Sequence, residues 1–196
     1  MRIVAGRFRG RVLAAPDGAT TRPTSDRARE SLFNILAHGE KGLVGARVLD
    51  VFAGSGAVGL EALSRGASHA TFIDNDVAAQ RVLAANIRKL GVEPASLVLK
   101  IDAARPPNAT LPCHFVFLDP PYFSGLAGPA LTALAAKGWL AAEAVVVVEI
   151  AAAEDFVSPL PGWECADERR YGAAKLVFLR PHRRDEIVLT LDPHQE

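Results

Sequence analysis

Apolar and polar positions follow two alternating periods over the middle of the chain, from residue 46 to about residue 150. Short apolar runs bounded by turn residues are typical of buried strands, and apolar residues at every third or fourth position predict helices. We expect strands over 47–52, 70–74, 97–101, 114–119 and 144–150, and helices over 57–65, 77–90 and 127–140. Repeated units of this kind predict a parallel, doubly wound sheet that binds ligands at the carboxyl ends of its strands.

The amino-terminal residues follow another pattern. Residues 1–15 predict a hairpin of two short strands, with arginines on one face and Ile3, Phe8, and Val12 or Leu13 on the other. A helix is then predicted to begin near residues 24–26, and its apolar stripe consists of Ala28, Leu32, Ile35 and Leu36.

The carboxyl-terminal part also departs from the repeated pattern. Residues 163–170 and 173–180 predict two antiparallel strands that close the sheet, and the tail over 181–196 adds a short strand or trails. We therefore expect an α/β fold, with a Rossmann-like, doubly wound, mostly parallel sheet and a small N-terminal β-hairpin extension.

Charge is distributed unevenly along a chain that is neutral as a whole. The 196 residues hold 22 Lys and Arg against 22 Asp and Glu. Residues 1–30 hold seven arginines and three acids, a balance of 7 − 3 = +4 that leaves −4 for the remainder. A basic arm on an acidic body predicts contact with a phosphate backbone, the alternative being a solvated surface with incidental arginines. The candidate RNA-binding residues are Arg2, Arg7, Arg9, Arg11, Arg22, Arg27 and Arg29.

Cysteine usage and hydropathy narrow the class of protein further. Cys113 and Cys165 are isolated, and no group of residues has the spacing of a metal site, so we predict no metal. The longest apolar region, around 144–153, is broken by Glu149, and neither it nor the N-terminus resembles a membrane span or a signal peptide. We expect a cytoplasmic protein that does not bind membranes, with a monomer as the default.

The stretch VLDVFAGSGAVG, residues 48–59, carries the first functional signal. An apolar run that passes through glycines into a helical pattern predicts a strand, a tight turn and a helix. Glycines allow the sharp turn and the close approach of a ligand, and the first amides of the helix point outward. A nucleotide-like ligand suits this arrangement.

The glycine pattern is compatible with two different ligands. Gly54, Gly56 and Gly59 satisfy the dinucleotide fingerprint, and Asp74 lies about 20 residues further on, as a ribose-binding acid would. However, Asp50 sits inside the strand, where NAD sites usually have an apolar residue or glycine, and DPPY follows at 119–122. Together these features favour S-adenosylmethionine (SAM) over NAD.

Acids fall at or next to the carboxyl ends of four successive predicted strands: Asp50, Asp74, Asp102 and Asp119. We expect Asp74 to accept from the ribose hydroxyls, with Asp76 as a second candidate. Asp102 would meet the adenine amino group, or alternatively cap a helix. The full set of candidate cofactor-binding residues is Asp50, Phe52, Ala53, Gly54, Ser55, Gly56, Asp74, Asn75, Asp102 and Ala103.

The DPPY tetrapeptide, Asp119, Pro120, Pro121 and Tyr122, carries the sharpest signal, and we predict that it is catalytic. Two prolines after a strand hold the backbone extended and rigid, so the Asp119 carboxylate and the Pro120 carbonyl can point the same way. Two acceptors on an exocyclic amine localise its lone pair toward a methyl donor. Tyr122 would stack on the base, and a paired target would have to be flipped out.

The motifs VLDVFAGSGAVGLEALSRGA, FIDND and FVFLDPPY resemble those of class I SAM-dependent methyltransferases. MRIVAGRFRGRVL followed by RPTSDRARESLFNIL is more specific, and it resembles the bacterial RsmD family, which methylates the 2-amino group of a guanine in 16S rRNA. The resemblance implies a basic arm over 1–22 and a methyltransferase domain over 23–196. It also implies that the DPPY forms the amine pocket, the acids and glycines the SAM site, and the arginines an RNA surface.

Three alternatives remain from the sequence. One is a methyltransferase of DNA or of a protein amide, since DPPY also serves adenine and glutamine amides. The sequence shows no target-recognition domain, which counts against DNA specificity. An NAD-binding oxidoreductase and a non-catalytic RNA-binding module are the others. We expect the substrate to be 16S rRNA within assembled or partly assembled 30S subunits, because a short basic arm needs a partner that supplies shape as well as charge.

Overall fold

The computed structural model describes residues 1–15, 26–37 and 42–182, and in these residues a seven-stranded sheet forms the centre of the fold. The strands are β1 (Arg47–Val51), β2 (His69–Ile73), β3 (Ser96–Leu99), β4 (Cys113–Leu118), β5 (Leu140–Ala151), β6 (Trp163–Tyr171) and β7 (Ala174–Pro181). The helices are α1 (Asp26–Ala37), α2 (Ala57–Ser64), α3 (Val77–Leu90) and α4 (Ala127–Ala136), with a 3-10 turn over Glu93–Ala95.

The sheet has the order β3-β2-β1-β4-β5-β7-β6. The first five strands of this order pair in parallel, and β7 joins β5 and β6 antiparallel. The predicted α/β class and mostly parallel sheet are therefore confirmed, as is the closing antiparallel pair. β2 and β3 lie on one side of β1, and β4 and all later strands lie on its other side. The strand order therefore reverses between β1 and β4, and open α/β sheets bind ligands at such a reversal.

One predicted helix boundary is wrong. The helical pattern extends to residue 140, but α4 ends at Ala136 and Leu140 already belongs to β5. Gly138 adopts a left-handed conformation with φ of 76°, and the Trp139 amide donates to the Leu134 carbonyl at 3.0 Å. A glycine in this conformation ends a helix even where apolar spacing continues past it.

The two faces of the sheet are covered unequally. One face packs against α1, α2, α3 and the arm, with Phe33, Leu63 and Leu83 among its buried residues. The other packs against α4 and irregular segments that contribute Ala103 and Leu160. A strand alternates its side chains between faces, so the buried Asp50 of β1 belongs to the face that carries α2.

The arm, described over residues 1–15, is a hairpin that closes at one antiparallel bridge between Arg2 and Val12. It does not form two regular strands. Ile3 and Leu13 are buried, Phe8 is half-buried, and Val12 is 59% exposed, so Leu13 rather than Val12 faces the core.

Buried polar groups of α2 hold the arm. The carboxylate of Glu61 accepts the amides of Val4 at 2.7 Å and Ala5 at 3.0 Å, and it pairs with Arg65 at 2.7 Å. The Ser64 hydroxyl donates to the Ala5 carbonyl at 2.5 Å. These bonds fix the arm on the last turns of α2.

Helix α1 presents the predicted stripe to the core, with Ala28, Leu32 and Leu36 buried and Ile35 half-buried. Phe33 is also buried, and the Ser31 hydroxyl contacts the Tyr171 hydroxyl at the end of β6. The predicted helix start before Asp26, the boundary between residues 22 and 23, and the tail beyond residue 182 lie outside the described residues. No helix in the described ranges is long and apolar enough to cross a membrane.

Candidate functional site at the strand ends

The chain segments that follow β4, β1 and β2 leave the sheet side by side. The Asp119 amide donates to the Val51 carbonyl at 3.2 Å, and the Ala53 amide donates to Ile73 at 3.1 Å. The Asp74 amide continues this pattern to Leu99 at 3.3 Å. The carboxyl ends of the three strands are therefore level with one another, that is, at the same height in the sheet. They bring the DPPY, the glycine turn and Asp74 together at this end of the sheet.

The glycines of the turn have different physical roles. A Cβ at Gly56 would lie 2.3 Å from Leu83 Cδ1, and one at Gly59 would lie 2.3 Å from Phe72 Cε1. These two glycines thus allow α2 to pack closely on its neighbours. At Gly54, whose φ is 54°, a Cβ would meet nothing within 4 Å, so Gly54 is the glycine that faces open space. The sequence pattern predicts a ligand contact for Gly56 as well as Gly54, but the packing of α2 is sufficient to explain Gly56.

Asp50 lies inside the fold, although the sequence pattern places it among the cofactor-binding residues. It is 2% exposed, and its Oδ2 accepts the Gly59 amide at 2.9 Å. Burial raises the pKa of its carboxyl to about 7; the Gly59 hydrogen bond lowers it and the nearby Asp74 raises it further. A carboxyl so deeply buried holds α2 against β1 and positions the turn without reaching its open side.

Asp74 ties the glycine turn to the end of β2. Its Oδ2 accepts the Gly54 amide at 2.7 Å and its Oδ1 accepts the Asp76 amide at 2.8 Å. Asp74 remains partly exposed, and each carboxylate oxygen has a further lone pair for a ligand hydroxyl. Asp76 caps α3 by accepting the Ala79 amide at 2.7 Å, so this second ribose candidate is a helix cap. Asn75, between them, is exposed.

The remaining predicted cofactor residues divide by exposure. Phe52 is partly exposed, with a φ of 60° that turns the chain at the end of β1, whereas Ala53 and Ser55 are buried. Asp102 is exposed, and its Oδ1 accepts the Ala104 amide at 2.9 Å in a turn. Ala103 is buried beneath this turn, in the core of the opposite face from α2.

The DPPY is anchored by a residue that the sequence pattern did not reveal. Pro120 is buried, Pro121 is exposed, and the Tyr122 hydroxyl donates to Glu149 Oε1 at 3.2 Å. Glu149 is 2% exposed and lies near the carboxyl end of β5. A signal was available, because a lone acid within a run of valines at a strand position needs a buried partner.

Asn86 of α3, also missed, connects the arm with the glycine turn. Its side chain is buried, and its Oδ1 accepts the Ala14 amide at 2.9 Å. Its Nδ2 donates to the carbonyls of Ala14 at 3.1 Å and Ser55 at 3.0 Å. The arm and the turn thus share one hydrogen-bonded side chain.

The predicted RNA-binding arginines do not all reach the surface. Arg2, Arg7, Arg9 and Arg11 of the arm are exposed. Arg29 is 0% exposed, so its assignment to an RNA surface is wrong for this structure.

Arg29 instead supports the fold. Its Nη2 donates to the Arg2 carbonyl at 2.7 Å, which joins α1 to the arm. Arg22 lies outside the described residues, and the side chain of Arg27 does as well. Lys89, which was not predicted, lies at the end of α3 and donates to the Val12 carbonyl at 2.7 Å, which adds a cation beside the arm.

Known proteins are similar to this chain in sequence and in architecture. A family model described as "Conserved hypothetical protein 95" matches residues 1–180. The ribosomal RNA small subunit methyltransferase D of Escherichia coli K12 is 44% identical over 149 residues, 76% of this chain and 74% of that protein. Its namesake in Haemophilus influenzae is 35% identical over 176 residues, 88% and 89% of the two chains.

The chain belongs to the RsmD family. The solved yhhF protein of Escherichia coli agrees with this assignment: it is 38% identical, the match covers 93% of this chain and 98% of that one, and the TM-score is 0.80. A solved protein of Thermus thermophilus is 30% identical with a TM-score of 0.70, and the match covers 91% of this chain and 98% of that one. The resemblance inferred from the sequence motifs is therefore confirmed, and membership in the family makes this chain a methyltransferase.

Within the described residues, no three His, Cys, Asp or Glu side chains are grouped to hold a metal ion.

The buried Asp50 predicts a specific pH dependence of stability. Because its folded pKa of about 7 lies above the ordinary value of 3.8, the folded protein binds one proton more than the unfolded chain between these values. Its contribution to the free energy of unfolding therefore falls as the pH rises toward 7, by at most about 1.4 kcal/mol per pH unit.

Asp50→Asn removes the titration and keeps an oxygen for the Gly59 amide. Urea unfolding at pH 5 and pH 7 should show that the variant gains about 2 kcal/mol relative to the unaltered protein over this interval. A difference between the two proteins that stays constant with pH would contradict the assignment of this titration to Asp50.

Proposed function

We propose that the chain transfers a methyl group from SAM to the exocyclic 2-amino group of a guanine in 16S rRNA of the small ribosomal subunit. One observation carries the proposal: the DPPY lies directly beside the glycine turn at level strand ends, in a chain whose relatives are named small-subunit rRNA methyltransferases. The site therefore has an amine pocket and a cofactor wall next to each other.

The residues at this edge suit SAM. Gly54 leaves open space above the turn, no side chain caps the N-terminus of α2, and the partly exposed Asp74 is available to ribose hydroxyls. Asp102 lies further along the same edge, where its exposed carboxylate would accept the adenine amino group. When bound, SAM supplies an electrophilic methyl group on a good leaving group.

The protein's own contribution is to position and polarise the amine. The Asp119 carboxylate and the Pro120 carbonyl accept the two amine hydrogens, which directs the nitrogen lone pair out of the ring. Tyr122 stacks on the base, and its hydrogen bond to the buried Glu149 fixes the plane of the ring. Asp119 can also take the proton that the amine releases.

The basic arm extends the RNA surface away from the site. Its residues near Ala14 adjoin the glycine turn, and its tip lies beside Ser64 at the other end of α2. An eight-residue helix is about 12 Å long, so arginines at the tip contact phosphates well away from the target base. We propose that a monomer acts in the cytoplasm on assembled or partly assembled 30S subunits.

The test measures transfer of labelled methyl from SAM to 30S subunits that lack this modification, followed by nucleoside analysis. We expect the label in 2-methylguanosine, with less transfer to protein-free 16S rRNA. Asp119→Ala should reduce transfer about a hundredfold to a thousandfold while the SAM dissociation constant stays within about twofold, because two amine acceptors become one. Label on adenine would overturn the guanine assignment, and label on a protein amide would overturn the RNA substrate.

The arm is tested by charge removal. Replacing Arg7, Arg9 and Arg11 together with Gln should weaken binding to 30S subunits and reduce the slope of log affinity against log salt by about 2, because each lost phosphate contact contributes about 0.7–0.9. The matched control replaces the exposed Arg169, Arg170 and Arg180 of β6 and β7 with Gln. Equal losses in both triple variants would mean that overall charge, not the arm, attracts the RNA.

A further inference from the structure

Phe123, the residue after the DPPY, combines two unfavourable properties. Its side chain is 71% exposed, although it is large and apolar. Its φ is 57°, in the left-handed region that residues other than glycine rarely adopt. Among the described residues, Phe52 and Phe123 are the non-glycine residues with positive φ, and both lie at the proposed site. Strained backbone of this kind clusters where function requires it.

A carboxylate holds Phe123 in this conformation. Glu154 Oε1 accepts the Phe123 amide at 2.9 Å, and Glu154 Oε2 accepts the Ala151 amide at the end of β5 at 2.8 Å. The Ser124 amide closes the turn onto the Pro121 carbonyl at 3.2 Å. The exposed ring is therefore attached to the rigid end of the sheet.

The surroundings of Phe123 indicate what the ring contacts. The chain neighbours of Phe123 line a cavity of about 250 Å³, in which Pro121 and Phe156 are apolar and Glu154 and Asp155 are acidic. Two carboxylates repel phosphate, whereas they accept hydrogen bonds from the amino groups of nucleobases. A base that presents its face to the ring is thus favoured over the RNA backbone.

We propose that Phe123 stacks on the nucleobase next to the target and keeps the target guanine flipped into the DPPY pocket. The inference rests on the proposed function. When a base leaves a helical stack, the face of its neighbour loses its partner, and an aromatic ring that stacks on that face offsets this loss. Phe123 follows Tyr122 directly, so one short turn provides a ring for the target base and a second ring for its neighbour.

The test compares three substitutions of Phe123 by initial rates of methyl transfer against 30S concentration. Phe123→Gly should lower kcat/KM about tenfold, the effect expected from the loss of one stacked base. Because glycine adopts this φ without strain, the Tm should stay the same or rise, and the dissociation constant for SAM should stay within about twofold. Phe123→Tyr, which keeps a ring, should retain kcat/KM within about twofold.

The third substitution and a control separate stacking from other causes. Phe123→Leu keeps an apolar side chain without a ring face, and it should lose activity as the glycine variant does. Leu111→Ala alters another exposed apolar residue, which precedes β4 and so lies at the amino ends of the strands, away from the site. This variant should retain full activity.

Each contrary result has a distinct meaning. Full activity of Phe123→Leu would indicate an apolar contact with a ribosomal protein and overturn the stacking proposal. Full activity of Phe123→Gly, or a loss confined to SAM affinity, would also overturn it while leaving the proposed function intact. If the unaltered protein transferred no methyl group to 30S subunits, the proposed function would fail and this inference with it.

Discussion

The close packing of α2 against β2 and α3 is the constraint on which the rest of the site depends. A Cβ at Gly56 would lie 2.3 Å from Leu83, and a Cβ at Gly59 would lie 2.3 Å from Phe72, so neither position accommodates a side chain without a shift of its neighbour. Only this close approach lets the turn before α2 lie over the strand ends. Two carboxylates then hold the turn in place: Asp50 accepts the Gly59 amide, and Asp74 accepts the Gly54 amide.

The same helix also carries the arm, so the proposed RNA surface and the proposed cofactor site belong to one packed unit. Glu61 accepts two amides of the arm, and Asn86 joins the arm to the carbonyl of Ser55 in the turn. An arm held by buried side chains such as Glu61 and Asn86 presents its arginines in a fixed orientation. Loss of the Glu61 carboxylate would leave two partly buried amides without acceptors, which costs more than a missing surface contact.

The sequence predicted the βα order, the family and most of the strand ends to within one residue, because the hydrophobic period and the positions of glycines are local signals. The end of β3 and the start of β5 were missed by two and four residues. The range of α3, Val77–Leu90, agrees with the prediction in full, since its cap residues Asp76 and Gly91 are local too. Long-range partners could not be predicted in this way. Glu61, Asn86, Glu149 and Glu154 each bond to residues distant in the chain or in another element, and Arg29 was assigned to the surface because its burial depends on how α1 meets the arm.

The central claim is that cofactor and target amine meet at the level ends of β4, β1 and β2. A crystal structure of the protein with S-adenosylhomocysteine, the demethylated cofactor, tests this claim most directly. We expect ribose hydroxyls on the Asp74 carboxylate, the amino-acid end over Gly54, and the sulfur facing Asp119. A ligand bound instead in the cavity lined by Pro121 and Phe156, or a ribose that does not contact Asp74, would contradict the claim.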